Sequence, residues 1–451
     1  LNPNPRAAIL ALAPDRAQRP RHRVSIMPAR PLIILLSLAL GACTDSCVQP
    51  AASDMDMSTG AGDMSIIDQP DTGGNPDLAV SNHLTHAQLM AALGADCAPT
   101  RGEDGRWSWR FEVPQGTTSL MMTLTAQRGT VTPQGLYTPE RYIDFVSDYR
   151  HHNARALELS DPHSLGVGTL GTLSFHWSIL LPYAQDRASL LVAGEQTLTA
   201  TTSDDEAPCL LTQLEQQPTA HAVALNIYLV GAPGLDAASA ASDVDLQAAL
   251  DGVRALYAPT GVTLGQVRYF DVTDEVAQEY AILRSDRALG ELTAFGVPRS
   301  EAELMTVDVF LVQDILIDGG AVLGQSGGVP GPPGLHGYGD NGLVFSTASL
   351  GTDNALVAHI IAHELGHYLG LRHTTEMIYG AGLPDEAYYE GLIGLTDPHD
   401  DTPICDAPLR RGFSCPDAQH VMFPAAPDDT TNAAIWSADQ LFALRRSPLT
   451  R

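Results

Sequence analysis

The chain has 451 residues, 44% hydrophobic and 17% charged, enough for two or three domains with sizeable cores. Its 53 acidic residues outnumber 25 basic ones and leave a formal charge of −28, which argues against nucleic acid as a partner, because phosphate binding needs clustered Lys and Arg. The acidity reads as solubility in an extracellular medium.

Met27 opens the run MPARPLIILLSLALGAC. Arg30 supplies a positive charge. Leu32–Leu40 is an apolar stretch too short to span a bilayer but suited to the core of a signal peptide, taken over 27–42. The run ends in Leu40-Gly41-Ala42-Cys43, which resembles a bacterial lipobox. That resemblance implies cleavage before Cys43 and lipidation of its thiol. An ordinary secretory signal with a coincidental cysteine is the alternative. Thr44, standing where an Asp would retain a lipoprotein, implies sorting to the outer membrane of a bacterial cell envelope, facing the periplasm or exterior, with membrane contact through the lipid anchor only. Residues 1–26 read either as an over-extended start, with Met27 the first residue, or as an unstructured leader. From Thr44 to about Asn82 the chain is rich in Asp, Ser, Gly, Pro and Met and has no aromatic residue, so 43–85 is expected to be a disordered tether.

Residues 86–217 look β-rich. Trp107–Val113 alternates, Pro114-Gln115-Gly116 signals a turn, and Ser119–Thr125 follows. Further strand-like runs are Leu173–Leu181, Ser189–Val192 and, after Gly194, Thr197–Thr201. Short strands at this spacing suggest a β-sandwich-like domain, serving either as a binding module or as a spacer. Cys97 and Cys209 sit near its ends, and in an oxidising compartment they are expected to pair. The rival reading keeps one of them free to cap a metal in a latent form.

Residues 218–451 carry an α/β pattern. Val223, Leu225, Ile227 and Leu229 alternate as a strand. Leu246, Ala249, Leu250, Val253, Leu256 and Tyr257 share one helix face, with Ser242 and Asp245 as a capping-box-like start. Val262–Val272 and Met305–Val312 read as strands. The Gly- and Pro-rich loop Gly324–Gly342 and the short edge strand Leu343–Ser346 follow. A second helix starts at Thr352 or Asp353, and the whole predicts a compact α/β (α+β) fold with a twisted mixed sheet.

That second helix contains His363-Glu364-Leu365-Gly366-His367. Four residues on a helix amount to about 40° of rotation and about 6 Å of rise, so both imidazoles project from one side and can share Zn²⁺. Glu364 is one residue further round and reaches a water on the metal without being a ligand. Gly370 can adopt a positive φ, end the helix and turn His373 back as the third ligand, leaving a fourth position open. His359 lies one turn earlier on the same face and reads as a packing or supporting residue.

The pattern His363-Glu-x-x-His367-x-x-Gly370-x-x-His373 resembles the extended zinc signature of the metzincins. The resemblance implies a turn with Met422 as an apolar floor beneath the imidazoles. Pro424 occupies the place where some metzincins carry a catalytic tyrosine, so none is assigned. Asp400-Asp401-Thr402-Pro403-Ile404-Cys405, Cys415-Pro416-Asp417 and Trp436-Ser437-Ala438-Asp439-Gln440 are similar, in this order, to segments of the pappalysins, over about residues 219–450. That likeness departs at the Met-turn. It implies a disulfide between Cys405 and Cys415, and it raises Ca²⁺ binding by Asp397, Asp400 and Asp401 against the alternative of a solvated acidic loop.

The expected function is zinc-dependent endopeptidase action on extracellular proteins or peptides, with Glu364 as general base. Substrate would lie extended against Leu343, Val344 and Phe345, pairing with that strand as an edge, beside a wall made by the Gly-rich loop. The competing reading is a non-catalytic surface binding protein or adhesin with a vestigial zinc site.

Overall fold

Alternation along β2 (Trp107–Val113) buries Trp107, Trp109 and Val113 and leaves Arg110 exposed, the pattern of a strand with one wet face. The computed structural model describes residues 86–126, 131–145, 176–203, 205–216, 221–296, 304–317, 320–339, 341–375, 397–403, 415–424, 426 and 435–450. All of them belong to one compact unit, Gly73–Arg451. The signal segment, Cys43, the tether and Cys405 lie outside the described residues. No described helix is long and apolar enough to cross a membrane.

The first half builds two antiparallel sheets. One runs in the order β1 (Thr100–Arg101), β2, β7 (Gly194–Thr202), β4 (Val131–Tyr137), β5 (Tyr142–Asp144). The other runs β6 (His176–Leu181), β3 (Ser119–Thr125), β8 (Cys209–Glu215). Trp109, Val131 and Leu198 from the first share one apolar cluster with Leu120, Leu124 and Ile179 from the second. The expected strand Ser189–Val192 is instead the end of a 3₁₀ turn, Gln185–Leu190. Arg187 N–H donates to the Ala184 carbonyl and Leu191 N–H to that of Ala188, so these groups are spent locally and are withdrawn from any ladder.

The second half is a mixed sheet in the order β10 (Thr263–Asp271), β9 (Ala222–Val230), β12 (Val307–Val312), β16 (Leu343–Ser346), β15 (Gly324–Ser326). Four strands are parallel, and only β15 runs antiparallel to its neighbour. A parallel strand covered on both faces needs a mostly apolar run, which β9 and β12 supply, each broken by one buried polar residue, Asn226 and Asp308. A small sheet of β11 (Ile282–Leu283), β13 (Asp314–Ile317) and β14 (Gly320–Val322) lies beside it in sequence. On one face, helices Val244–Tyr257 and Asn354–Tyr368 pack in a single core with Leu225, Val309 and Phe345. Gly252 lets them approach, since a Cβ there would lie 2.5 Å from that of Ala358. The first of these helices is capped by Asp243, whose carboxylate accepts the Leu246 N–H, and not by Ser242, whose hydroxyl donates to the Ser239 carbonyl.

The two halves meet closely. Leu89, Met90 and Cys209 cluster with Leu304 and Leu335. A Cβ on Gly334 would press on Leu93, and one on Gly370 would lie 3.2 Å from Leu180.

Candidate metal centre

Asp353 caps the ligand helix, accepting the Leu356 N–H at 2.9 Å, and places His363, Glu364 and His367 in its last turns. The helix stops at Gly370, which has φ +111°. Gly370 N–H donates to the His367 carbonyl at 2.8 Å and Leu371 N–H to that of Gly366 at 2.9 Å, the paired bonds of a glycine-terminated helix. The chain therefore reverses in three residues and returns His373 to the helix.

The three Nε2 atoms then face one another: His363 to His367 at 3.0 Å, and each of them to His373 at 3.1 Å. Their other nitrogens decide what this means. His363 Nδ1 lies 2.7 Å from the Val421 carbonyl, and His367 Nδ1 lies 2.7 Å from the Leu371 carbonyl. A carbonyl only accepts, so each Nδ1 carries the hydrogen and each of these Nε2 atoms presents a lone pair. Converging lone pairs cannot bond to one another; they fit a cation. Burial also holds both imidazoles well below their ordinary pKa, and so in the neutral form that a metal ligand requires. Nitrogen donors in this number suit Zn²⁺ with one position left for solvent or substrate. Among the described residues this is the one group of three or more such side chains whose ligand atoms converge.

Glu364 is half-buried on the same helix. Burial pushes its carboxyl up to about 7, against the opposing influence of His373 and of the Ser326 backbone N–H. Gly324 brings the neighbouring strand against it: a Cβ there would lie 2.7 Å from Ile360, 2.8 Å from Phe345 and 3.1 Å from the Glu364 side chain. Met422 is fully buried, in a turn whose Val421 carbonyl holds His363 and whose own carbonyl accepts the Thr374 N–H at 3.0 Å. The expected floor and the ligand helix are thus in contact.

Two expectations need correction and a third is settled. Leu343, Val344 and Phe345 do not form the edge: β16 lies between β12 and β15 and is buried throughout, because the start of the Gly-rich run, expected as loop, pairs as β15 and takes the outer place. Asp397, Asp400 and Asp401 do not converge as a cation site. Asp397 is buried and accepts from Thr402, the His399 N–H and Gln440, while Asp401 accepts the Asp439 N–H. Cys97 and Cys209 are bonded to each other, so neither is a free thiol for the metal. Cys415 is disulfide-bonded to a residue outside the described set. His359 is buried with neither ring nitrogen hydrogen-bonded, and burial lowers it to about 4, consistent with a neutral packing residue.

Residues 294–379 match the family described as dual-action HEIGH metallo-peptidases. In this chain the corresponding pentapeptide reads His363-Glu364-Leu365-Gly366-His367. The match and the histidine triad together support a zinc-dependent peptidase. Among solved structures, metalloproteinase-II from Bacteroides fragilis is 14% identical over 44% of this chain and 60% of that one, with a TM-score of 0.22. The salicylyl-acyltransferase SsfX3 from a tetracycline biosynthetic pathway is 10% identical over 46% of this chain and 47% of that one, with a TM-score of 0.09. Similarity at this level decides neither fold nor activity. No curated protein matches the chain.

Sequence reasoning did not reach Ser326, Tyr368 or the carbonyls of Val421 and Leu371. Every residue has a carbonyl, so a supporting carbonyl leaves no trace in composition. Gly324 was visible as a glycine, but its contact with Glu364 requires two segments 40 residues apart to meet.

Proposed function

We propose that this chain is a metzincin-type zinc endopeptidase that hydrolyses peptide bonds in extracellular proteins. His363, His367 and His373 would hold the metal and Glu364 would serve as general base. The observation that carries this reading is the convergence of three imidazole Nε2 atoms at 3.0–3.1 Å, with a carboxylate one residue from the first of them.

Zn²⁺, when bound, supplies Lewis acidity that polarises a carbonyl and acidifies water. The Glu364 carboxylate takes a proton from the attacking water and returns it to the leaving amine nitrogen. Its raised pKa of about 7 suits both duties, since a base poised near the working pH can release the proton it has taken. The substrate backbone adds to the free side of β15, which ends the sheet directly above Glu364. The Val421 and Leu371 carbonyls hold the imidazole planes of His363 and His367.

The pappalysin-like segments fit this reading, because the Asp439 N–H of one donates to the Asp401 carboxylate of another at 3.1 Å. Gln440 closes a capping box with Ser437 and donates to Asp397 at 3.4 Å. An outer-membrane lipid anchor at Cys43 would present the enzyme to the periplasm or the exterior. The test is cleavage of a mixed peptide library by the zinc-loaded full chain, with Glu364→Ala at equal zinc content beside it. Cleavage lost in the variant and blocked by a chelator supports the reading. Equal cleavage by both rejects Glu364 as the base, and no cleavage by the zinc-loaded protein favours a binding protein or adhesin.

A further inference from the structure

The Gly- and Pro-rich segment after β15 is a packed spacer and not an open loop: from Ser326 to His336 every residue but Val329 is buried. Its ends are pinched together by the Gly327 N–H donating to the Gly342 carbonyl at 2.8 Å. Two buried polar attachments fix what lies between.

The first ties the segment to the sheet. His336 Nδ1 lies 2.6 Å from Asp308 Oδ2, and its Nε2 lies 3.2 Å from the Leu304 carbonyl. Asp308 is a β12 residue that also accepts from Asn226 at 3.1 Å, and Asn226 donates to Thr306 at 2.6 Å. The second ties the segment to the ligand helix. Tyr368, next to His367, donates its hydroxyl to Asn341 Oδ1, and Asn341 in turn donates to the Leu335 carbonyl. The Gly331 N–H donates to the Tyr368 carbonyl at 3.0 Å. There is no room for a side chain at Gly331, where a Cβ would collide with the Tyr368 ring.

Sheet, spacer and helix are thereby locked in one register, and β15 leaves the spacer at Ser326. We propose that the His336–Asp308 and Tyr368–Asn341 pairs are positioning elements that set the height of β15, and with it Ser326, over the Glu364 carboxylate. The proposal rests on the peptidase reading for its catalytic consequence. Its structural part, the fixing of β15, stands apart from that reading. Misplacement of a catalytic carboxylate by about 1 Å is costly in rate, so loosening either attachment should lower turnover while leaving His363 and His367, whose rings are held by the Val421 and Leu371 carbonyls, able to hold metal with His373.

The test uses the full chain with Tyr368→Phe and, separately, His336→Leu. The first removes only the hydroxyl, and the second removes both ring nitrogens at comparable bulk. Zinc content is measured directly, and assays are run well below the melting temperature of each variant. Amide hydrogen exchange at Gly324–Ser326 should accelerate by about tenfold or more in both variants, at unchanged zinc content. Turnover should fall by about tenfold, mainly in kcat. Unchanged exchange at Gly324–Ser326 in both variants overturns the proposal, even if their melting temperatures drop. Faster exchange together with a wild-type chain that cleaves no peptide would remove the peptidase reading and leave the positioning role standing.

Discussion

Gly366 and Met422 are in contact beneath the ligand helix: a Cβ on residue 366 would collide with the Met422 sulfur. Gly366 is the single glycine of the helix Asn354–Tyr368, and it precedes the candidate ligand His367. A glycine inside a helix lowers its stability relative to alanine, so its presence here is explained by the sulfur it admits.

Gly366→Ala should therefore destabilise the protein by about 1–3 kcal/mol through overpacking, and should weaken zinc retention by shifting the turn that holds His363. Met422→Leu, which conserves volume, should cost less than about 1.5 kcal/mol. Urea unfolding of the metal-loaded proteins measures both. A Gly366→Ala protein as stable as wild type would show that the contact yields without cost.

Metal removal should lower stability as well as activity, because the buried Nε2 lone pairs of His363 and His367 are left facing each other. At free zinc about a thousandfold above Kd, the bound ion contributes about 4 kcal/mol by mass action. Thermal melts with and without a chelator, followed by zinc add-back, check this. His373→Ala should abolish most of the zinc-dependent rise in Tm; an unchanged rise would remove His373 as a ligand.

Asp397 gives the chain a distinctive pH dependence. Burial pushes its carboxyl up to about 8, against hydrogen bonds from Thr402, His399 N–H and Gln440. The unfolded chain releases that proton near the ordinary value of about 3.9. Between these two values the folded state holds more protons than the unfolded state, so this group's contribution falls as pH rises from about 4 to about 8. Asp397→Asn should flatten that part of the stability–pH curve. Urea midpoints from pH 5 to pH 8 supply the comparison, and a slope unchanged by the substitution would assign it to other groups.

The Cys97–Cys209 bridge closes 112 residues and lies in the cluster where Leu89 and Met90 meet Leu304 and Leu335. Its loss should cost about 2–4 kcal/mol. Cys97→Ser with Cys209→Ser, measured by urea unfolding under oxidising conditions, is the relevant variant. Because the cluster joins both halves, the loss should appear in the common unfolding transition. A separate early transition confined to the first half would show that the halves unfold independently.

The local elements were largely legible. Alternation placed β2 and β9, a turn signal ahead of it placed β3, apolar spacing placed Val244–Tyr257, and Thr352 or Asp353 marked the start of the helix that carries His363 and His367. What failed was local in a different way. Ser189–Val192 has the composition of a strand but bonds to its own backbone as a turn. Gly324–Ser326 has the composition of a loop but finds a partner in β16. A three-residue strand containing glycine carries no pattern of its own; only the neighbour that pairs with it makes it a strand.

The sequence by itself determined that the residues proposed as metal ligands and base come together. His363, Glu364, His367, Gly370 and His373 fall within eleven residues, and helix periodicity followed by one positive-φ glycine is enough to bring them together. Tertiary structure alone decided which strand forms the edge over Glu364, which carbonyls fix the imidazole tautomers, and that Asp308, His336, Asn341 and Tyr368 join across sheet, spacer and helix. The physical reason is range. Contacts within a helix and its cap follow from fixed backbone geometry, whereas contacts between distant segments depend on how buried polar groups find partners once the apolar core has brought those segments together.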